Sequence, residues 1–226
     1  MKAITSDKKK EIKSESNKST RNARSESIFE LAALGLLTAI SFIMAFTPLG
    51  FIPIGLLTVT FMTIPVIVSA TVLKPRDSAI IGGIFGLTSF IKTVTGTGGA
   101  MMAAFFQINP LFTCILCIVP RILEGLLGGL IFQAVSKKDK TKFVSYIVAS
   151  LSVPILNTIL FMSTLFLFFY SSEYIQTVAA AKGADNVLTL FVAMVGVQAV
   201  VEALVCAVLG TAVSKALAVA LKKIRK

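Results

Sequence analysis

The sequence predicts an all-α, polytopic membrane protein: a bundle of six transmembrane helices with both termini in the cytoplasm. Of its 226 residues, 55% are hydrophobic and only 15% are charged, against about 25% charged residues in a typical soluble domain. Six apolar stretches divide the chain, and most reach the roughly 20 residues that a helix needs to cross a bilayer. Lysine and arginine crowd into every second gap between these stretches, as they do in cytoplasmic loops.

The basic residues indicate which gaps face the cytoplasm. They cluster in the segment before the first stretch, at Lys74 and Arg76 after the second, in residues 137–142 after the fourth, and in residues 222–226 after the sixth. The other gaps are nearly bare: residues 49–57 and 93–107 carry no charge, and residues 171–186 carry only Glu173, Lys182 and Asp185. We therefore expect the basic gaps and both termini to be cytoplasmic, and the bare gaps to lie outside.

The chain divides into one membrane domain and two basic tails. Residues 1–27 are polar and rich in Ser and Lys, so we expect a disordered cytoplasmic tail. Residues 28–221 are expected to form the six-helix membrane domain, and residues 222–226 a second cytoplasmic tail. No small-residue cleavage site follows the first apolar stretch, so we interpret it as a retained helix rather than a signal peptide. The predicted location is the cell membrane, with multiple passes.

The six helices are expected at the apolar stretches, which cover residues 28–48, 52–73, 78–92, 108–136, 143–170 and 187–221. The last three stretches are longer than a perpendicular crossing needs, which predicts that these helices tilt or project beyond the bilayer. Pro154 interrupts the fifth stretch. We expect a break there, because proline removes a backbone donor and clashes with the preceding turn.

The segment between the first two helices is rich in proline and glycine. It reads Thr47-Pro-Leu-Gly-Phe-Ile-Pro-Ile-Gly55, and Pro65 follows in the second helix. We expect an irregular, apolar outer loop that folds over a site, since non-helical backbone at membrane depth is tolerated only against protein or a wet cavity. We also expect a kink near Pro65. The residues of this predicted gating loop are Gly50, Phe51, Pro53 and Gly55; the alternative is a plain hairpin punctuated by proline.

Small residues mark two helix faces for close packing. Gly35 and Ala39 are four residues apart in the first helix, and this spacing allows another helix to approach closely. Gly82, Gly83 and Gly86 form a similar set in the third helix. The spacing alone leaves open whether the face in the first helix contacts a partner protein or packs inside the bundle.

Few polar residues lie inside the predicted helices, and such residues usually serve a function, because burying them in the membrane is costly. Those predicted to lie mid-helix, at similar depth, are Arg121, Glu124, Asn157, Gln198 and Glu202. Lys92 lies higher, at the outer end of the third helix. Together these residues predict an outward-facing polar pocket between the fourth, fifth and sixth helices, with Lys92 at its rim.

Each polar residue has both a binding and a structural interpretation. Arg121 has the geometry to bind a carboxylate or phosphate through two hydrogen bonds, and Asn157 and Gln198 offer donors and acceptors for amides or hydroxyls. The alternative is an ion pair of Arg121 with Glu124 or Glu202 that stabilises the bundle. Lys92 has the further alternative of extending its ammonium group to the membrane surface.

Several function classes do not fit this sequence. The chain contains no His, and its three cysteines, Cys114, Cys117 and Cys206, all fall in apolar stretches, so we expect neither a metal site nor a catalytic centre. The segment from Gly86 to Thr93 lacks the glycine that a phosphate-binding loop requires next to its lysine. The basic residues are not interleaved with aromatic ones, so we expect contact with the anionic inner leaflet and not with nucleic acid. We therefore expect a protein that is not an enzyme and holds no cofactor of its own.

Five parts of the chain carry a signature. They are Gly35-Leu-Leu-Thr-Ala39 in the first helix, Thr47–Gly55 with Thr60–Val68 in the loop and second helix, Ile84–Ile91 in the third, Val119–Gly125 in the fourth and Gln198–Val205 in the sixth. In this order they resemble the substrate-binding S subunits of energy-coupling factor (ECF) vitamin importers, with Gln198 where we expect Asn. The resemblance covers about residues 28–221.

The resemblance implies a subunit that binds a vitamin or vitamin precursor near the outer face, through the first outer loop and the fourth to sixth helices. It implies docking, through Gly35 and Ala39, on a transmembrane coupling subunit (the T component) that two ABC-type ATPase subunits drive with ATP. The substrate-binding residues would be Lys92, Arg121, Asn157, Gln198 and Glu202.

The signature is most similar to pantothenate-type subunits, on the residues Thr47–Gly55, Val119–Ile122 and Glu202. Pyridoxine-type, thiamine-precursor, folate and riboflavin subunits are the alternatives within the family. Two other classes are a small integral-membrane enzyme that acts on lipid and a non-transporting membrane scaffold in which the polar residues only pair with one another.

Overall fold

The computed structural model describes residues 24–25, 27–54, 57–139, 141 and 143–224. The chain forms two compact units, Met1–Leu36 and Leu37–Lys226, and every contact discussed below lies within the second. The elements are α1 (Ser27–Phe46), a 3₁₀ turn (Pro48–Gly50), β1 (Phe51–Ile54), β2 (Leu57–Thr60), α2 (Thr63–Val72), α3 (Pro75–Val94), α4 (Ala100–Ile108), α5 (Pro110–Ser136), α6 (Phe143–Phe169), α7 (Glu173–Lys182) and α8 (Val187–Ile224).

Five of the described helices are long and apolar enough to cross a membrane: α1, α3, α5, α6 and the Val187–Ala220 part of α8. The predicted membrane character is therefore confirmed, but the predicted count of six spanning helices is not. The remaining candidate, α2, has 10 residues, or about 15 Å of helix, which is half of the roughly 30 Å hydrocarbon core. At 38 residues, α8 is about 57 Å long, which is enough to tilt strongly or to project from the bilayer.

The prediction of a helix over residues 52–73 is wrong for the first half of that range. Residues Phe51–Ile54 and Leu57–Thr60 instead pair as an antiparallel hairpin, with Phe51 opposite Thr60. Pro53 has no N–H for a helical hydrogen bond, and the β-branched residues before α2 favour an extended strand. The predicted kink at Pro65 is also absent, because Pro65 lies in the first turn of α2, where a helix loses no hydrogen bond to proline.

Two helices were not predicted, because they lie in the uncharged or nearly uncharged gaps that we expected to be loops. In α7, the Ser172 hydroxyl accepts a hydrogen bond from the Ile175 N–H, and Gly183 ends the helix with a left-handed φ of 61°. The other helix, α4, ends at Asn109, whose side chain accepts hydrogen bonds from Leu111 and Phe112 and so caps α5.

The break predicted at Pro154 is wrong, because α6 continues from Phe143 to Phe169 with Pro154 inside it. Packing holds the helix together there: Val153 is fully buried, and α6 packs against both α5 and α8. The Thr158 hydroxyl also donates a 3.1 Å hydrogen bond to the Pro154 carbonyl. Neighbouring helices and such hydroxyls are what make proline tolerable within a membrane helix.

Glycines allow α3 and α5 to pack backbone against backbone. A Cβ on Gly82 would collide with the carbonyl of Arg121, and one on Gly125 would collide with the carbonyl of Ser78. A Cβ on Gly86 would lie 2.8 Å from the Cα of Ile118. The prediction of a close-packing face in the third helix is thus confirmed for Gly82 and Gly86.

A buried aromatic cluster ties the short helices to the long ones. It contains Phe105 of α4, Leu116 of α5, Phe169 of α6, Ile175 of α7 and Leu190 of α8. The rings of Phe105 and Phe169 stack with their centroids 4.5 Å apart. This cluster fixes α4 against the bundle, and α4 is the helix that closes the candidate site described below.

Asp139, between α5 and α6, caps the start of α6. The Asp139 carboxylate accepts hydrogen bonds from the N–H and hydroxyl of Ser145 at 2.9 and 3.0 Å, and from the N–H and hydroxyl of Thr141 at 3.0 Å each. These bonds, with that from the Ser145 N–H as the largest cause, lower the pKa of Asp139 to about 2. Asp139 therefore keeps its negative charge at neutral pH and stabilises the start of α6.

The packing of α3 on α5 predicts that alanine substitutions at two adjacent glycines will affect stability differently. Gly82→Ala should lower the free energy of unfolding by about 1–3 kcal/mol, because the added methyl group forces the two backbones apart. Gly83→Ala should be neutral or slightly stabilising, since its Cβ would meet only the Ile122 side chain at 3.4 and 3.7 Å. Thermal denaturation of the two detergent-purified variants measures the difference, and equal midpoints would contradict this packing.

Candidate functional site

A cavity of about 580 Å³ lies beside α3 and α4. This volume is in the range of small-molecule sites. Its described lining comes from the end of α1, the start of α2, the C-terminal half of α3, the α3–α4 loop, α4, α5 and α6. The residues are Ala45, Met62, Phe85, Thr88, Ser89, Lys92, Thr93, Thr97, Gly98, Gly99, Met101, Met102, Arg121 and Phe161.

The charged groups in this lining are both cations. Lys92 lies near the end of α3 and Arg121 in the middle of α5, and the described lining residues include no acid. Such a cavity favours an anionic ligand, or a ligand with an anionic group. The structure thus brings together two of the predicted site residues that lie on different helices.

A row of hydroxyl groups on α3 and on the loop that follows it accompanies the cations. Thr88 donates to the Phe85 carbonyl at 2.8 Å, Thr93 donates to the Ser89 carbonyl at 3.0 Å, and Thr97 donates to the Lys92 carbonyl at 3.3 Å. Because these hydroxyl protons are directed to the backbone, the oxygen lone pairs are what the side chains offer to a ligand. The row therefore suits hydroxyl or amide donors of a bound molecule.

Arg121 is held in place by aromatic rings and one carbonyl. Its side chain is only 8% exposed, and its guanidinium lies 4.4 Å from the ring centroid of Phe161 and 5.4 Å from that of Phe85. One terminal nitrogen donates a 2.9 Å hydrogen bond to the Leu116 carbonyl. Its Nε is buried and has no hydrogen-bond partner.

Two acids lie near Arg121 without joining the cavity lining. The charges of Glu124 and Glu202 both act on Arg121. Glu124 is completely buried, and neither of its carboxylate oxygens has a hydrogen-bond partner. Glu202 is 8% exposed and lies near Thr60 at the end of β2. Within the described chain, no hydrogen bond joins Arg121 to either acid, so these groups interact through space.

The other predicted binding residues lie outside the described lining of this cavity. Asn157 is half-buried in α6 with an unpartnered Oδ1, Gln198 is half-buried in α8, and Glu202 lies one turn beyond Gln198. The cavity lies instead beside α3, because glycine packing turns the Arg121 face of α5 towards that helix. Nothing in the geometry tests a contact of these three residues with substrate, and that role stays a prediction.

Sequence reasoning missed the residues that make up most of the lining. Thr88, Ser89 and Thr93 share a helix face with Lys92, and polar residues at this spacing along an apolar helix were the signal that could have found them. Phe161 and Met102 carry no such signal, because single aromatic and methionine residues in apolar helices are ordinary core residues.

The predicted gating loop is described only in part. A Cβ on Gly50 would collide with the Met44 carbonyl and lie 3.2 Å from the Met62 sulfur, so Gly50 packs behind a residue of the cavity wall. Gly55 and the side chains of Phe51 and Pro53 lie outside the described residues. The gating role therefore stays a prediction.

The predicted coupling residues are both exposed. No atom lies within 4 Å of an ideal Cβ built on Gly35, and Ala39 is also exposed. Both positions thus have room for contact with another molecule, but no partner chain is present, and the docking role stays a prediction.

The comparison with known families agrees with this geometry. The family model for the ECF transporter, substrate-specific component, matches residues 29–214, a range that extends from α1 into α8. No curated protein matches the chain. Because the family match covers most of the sequence, the chain belongs to the substrate-specific component family of ECF transporters.

Proposed function

We propose that this protein is the substrate-binding membrane subunit of an ECF importer that takes up a vitamin or vitamin precursor, and that the substrate is pantothenate. Membership of the family supports a vitamin-type substrate-binding transport subunit, which is not an enzyme. The observation that carries the choice of an acidic vitamin is the cavity lined by Lys92 and Arg121 without an acid among its described residues.

Pantothenate matches the chemistry of the cavity wall. Its carboxylate is suited to Lys92 or Arg121, and its hydroxyl and amide N–H groups are suited to the lone pairs of the hydroxyl row. Its apolar middle is suited to Phe161, Met101 and Met102, which line the same cavity. In the fuller form of the proposal, Asn157, Gln198 and Glu202 fix further polar groups of the substrate, and the loop of Gly50, Phe51, Pro53 and Gly55 closes over it.

The partners follow from the family. An ECF substrate-specific component works with a T component and with ATPase subunits, so uptake requires ATP that the partner subunits hydrolyse. We propose two ABC-type ATPases in the complex, and docking of this subunit on the T component through the first helix at Gly35 and Ala39. The protein lies in the cell membrane, and the proposed orientation has both termini in the cytoplasm.

Ligand binding by the isolated protein tests the function. Detergent-purified protein should be stabilised by pantothenate, because a ligand at 100 times its dissociation constant adds about 2.7 kcal/mol to the free energy of unfolding. A thermal-shift panel should include pyridoxine, a thiamine precursor, folate and riboflavin as the competing substrates. A shift with one of those instead would retain the transport function and replace the substrate, whereas no shift with any vitamin would contradict the proposed function.

The same assay tests the cavity. Lys92→Gln and Arg121→Gln should each weaken binding of the stabilising vitamin by roughly tenfold or more, since a charge-assisted hydrogen bond is worth about 1.5–3 kcal/mol. Lys182→Gln is the matched control, because Lys182 lies at the end of α7 and is not part of the described lining. Unchanged affinity in both cavity variants would show that the vitamin binds elsewhere.

The proposed orientation predicts a labelling pattern for single cysteines in a variant that lacks the native three. Ser6→Cys and Lys138→Cys should resist an impermeant thiol reagent in intact cells, because basic segments stay in the cytoplasm. Ala181→Cys in α7 should react. Lys138 is preferable to Asp139, whose carboxylate caps α6. Labelling of Ser6→Cys from outside would overturn the orientation.

The proposed coupling face predicts a separation of binding from transport. Gly35→Leu and Ala39→Leu add bulk where the T component should approach closely. Vitamin binding by the isolated subunit should persist, while co-purification with the T component and vitamin uptake should fall. Leu36→Ala, a change at an exposed residue of the same helix, is the control; normal uptake by both leucine variants would exclude this face from docking.

A further inference from the structure

The Arg121 guanidinium lies where three helices meet at the cavity wall. Arg121 belongs to α5, Phe85 to α3 and Phe161 to α6, and all three residues line the cavity. The guanidinium carbon lies 4.4 Å from the ring centroid of Phe161 and 5.4 Å from that of Phe85. A guanidinium within about 6 Å of a ring centroid is attracted by the negative face of the ring. This cation of the cavity therefore contacts two rings, and each ring comes from a helix other than its own.

The backbone and the side chain of Arg121 are fixed by different contacts. The Arg121 carbonyl packs on Gly82, so the close approach of α3 and α5 determines where the side chain starts. One terminal nitrogen donates a 2.9 Å hydrogen bond to the Leu116 carbonyl of the same helix. An arginine side chain has several rotatable bonds, and ordering it costs conformational entropy. The rings of Phe85 and Phe161 restrict its direction from the two neighbouring helices.

The two rings differ in distance and in surroundings. Phe85 is 5% exposed and is the more distant ring. Phe161 is half-buried, lies closer to the guanidinium, and packs against the buried aromatic cluster that contains Phe105 and Phe169. The Phe161 ring is therefore itself held by packing, and it provides a fixed surface against which the guanidinium rests.

A cation that is already in place binds an anion more tightly than a mobile one. Each long side chain that a ligand must immobilise reduces the affinity, and a side chain that is ordered beforehand avoids this loss. Arg121 is only 8% exposed, so its contact with a ring is also shielded from water, where cation–π attraction is stronger than at an exposed site. The closer ring thus has the stronger influence on how well Arg121 is prepared for an anion.

We propose that Phe161 is a positioning residue for recognition of the substrate carboxylate: its ring holds the Arg121 guanidinium in the cavity wall, and Phe85 contributes to a smaller extent. This role rests on the proposed function and assigns to an uncharged residue a part in the choice of an anionic substrate. Because Phe161 also lines the cavity, its effect through Arg121 has to be separated from its own contact with the substrate.

The affinities for pantothenate and for its uncharged primary amide separate these two effects. Phe161→Leu keeps an apolar side chain in the wall but removes the ring. Direct contact with the substrate changes both affinities by the same factor, whereas loss of the cation–π contact affects the acid alone. The ratio of acid affinity to amide affinity should therefore fall by about three- to tenfold. Isothermal titration calorimetry on the full-length protein in detergent measures both affinities.

Matched variants identify the ring as the cause. Phe161→Tyr keeps an aromatic ring and should retain the wild-type ratio within about twofold. Met102→Leu changes a residue of the same cavity wall to one of similar volume, and it should alter both affinities by similar factors. Phe85→Leu should lower the ratio by a smaller factor than Phe161→Leu, because its ring lies farther from the guanidinium.

A double-mutant cycle tests whether Phe161 acts through Arg121. In an Arg121→Gln background, Phe161→Leu should leave the ratio of acid to amide affinity unchanged, because no guanidinium remains to be positioned. Thermal denaturation without ligand checks that each variant is folded. Phe161→Met replaces Phe161→Leu if the leucine variant does not fold, since methionine fills irregular space in a core.

The outcomes distinguish this role from the proposed function. If the wild type binds pantothenate but the aliphatic variants at Phe161 weaken acid and amide equally or weaken neither, Phe161 is only part of the wall; the proposed role is then wrong and the function stands. An equal fall of the ratio with and without Arg121 would also overturn the role. If the wild type binds neither compound, the choice of pantothenate is wrong and the role of Phe161 fails with it.

Discussion

The close approach of α3 and α5 is the constraint on which the candidate site depends. Gly82 and Gly125 allow each backbone to reach a carbonyl of the other helix, and this contact sets the rotation of α5 about its own axis. The position of Arg121 follows directly from this contact, since its carbonyl packs on Gly82 while its guanidinium lies over Phe85. A side chain on either glycine would separate the helices and move the cation in the cavity wall.

Burial of Arg121 creates an electrostatic requirement that the surrounding residues meet in different ways. The rings of Phe161 and Phe85 provide cation–π contact, the Leu116 carbonyl accepts one hydrogen bond, and the acids Glu124 and Glu202 lie close enough to act on its charge. Truncating any one partner of such a group is more costly than the single interaction suggests, because the remaining charge stays buried. Arg121 thus contributes both to the bundle and to the cavity.

The short elements contribute to the cavity wall together with the long helices. Phe51–Ile54 and Leu57–Thr60 form an antiparallel pair of strands in place of a helix, and Thr60 at the end of β2 lies near Glu202. The aromatic stack of Phe105 on Phe169 holds α4 against the bundle, so that its uncapped first turn lies in the cavity wall.

The sequence by itself determined the membrane character, the approximate limits of α1, α3, α5, α6 and α8, and Lys92 and Arg121 as candidate ligand-binding residues. Those features follow from hydropathy, from charge and from the cost of burying a cation, and all of these are local properties of the chain. Only the tertiary structure decided that Phe51–Ile54 pairs with Leu57–Thr60, that α6 continues through Pro154, and that the cavity lies beside α3 and α4 rather than beside Asn157 and Gln198. The physical reason is that helix rotation and the folding of short apolar segments are set by contacts between distant parts of the chain, which hydropathy cannot encode.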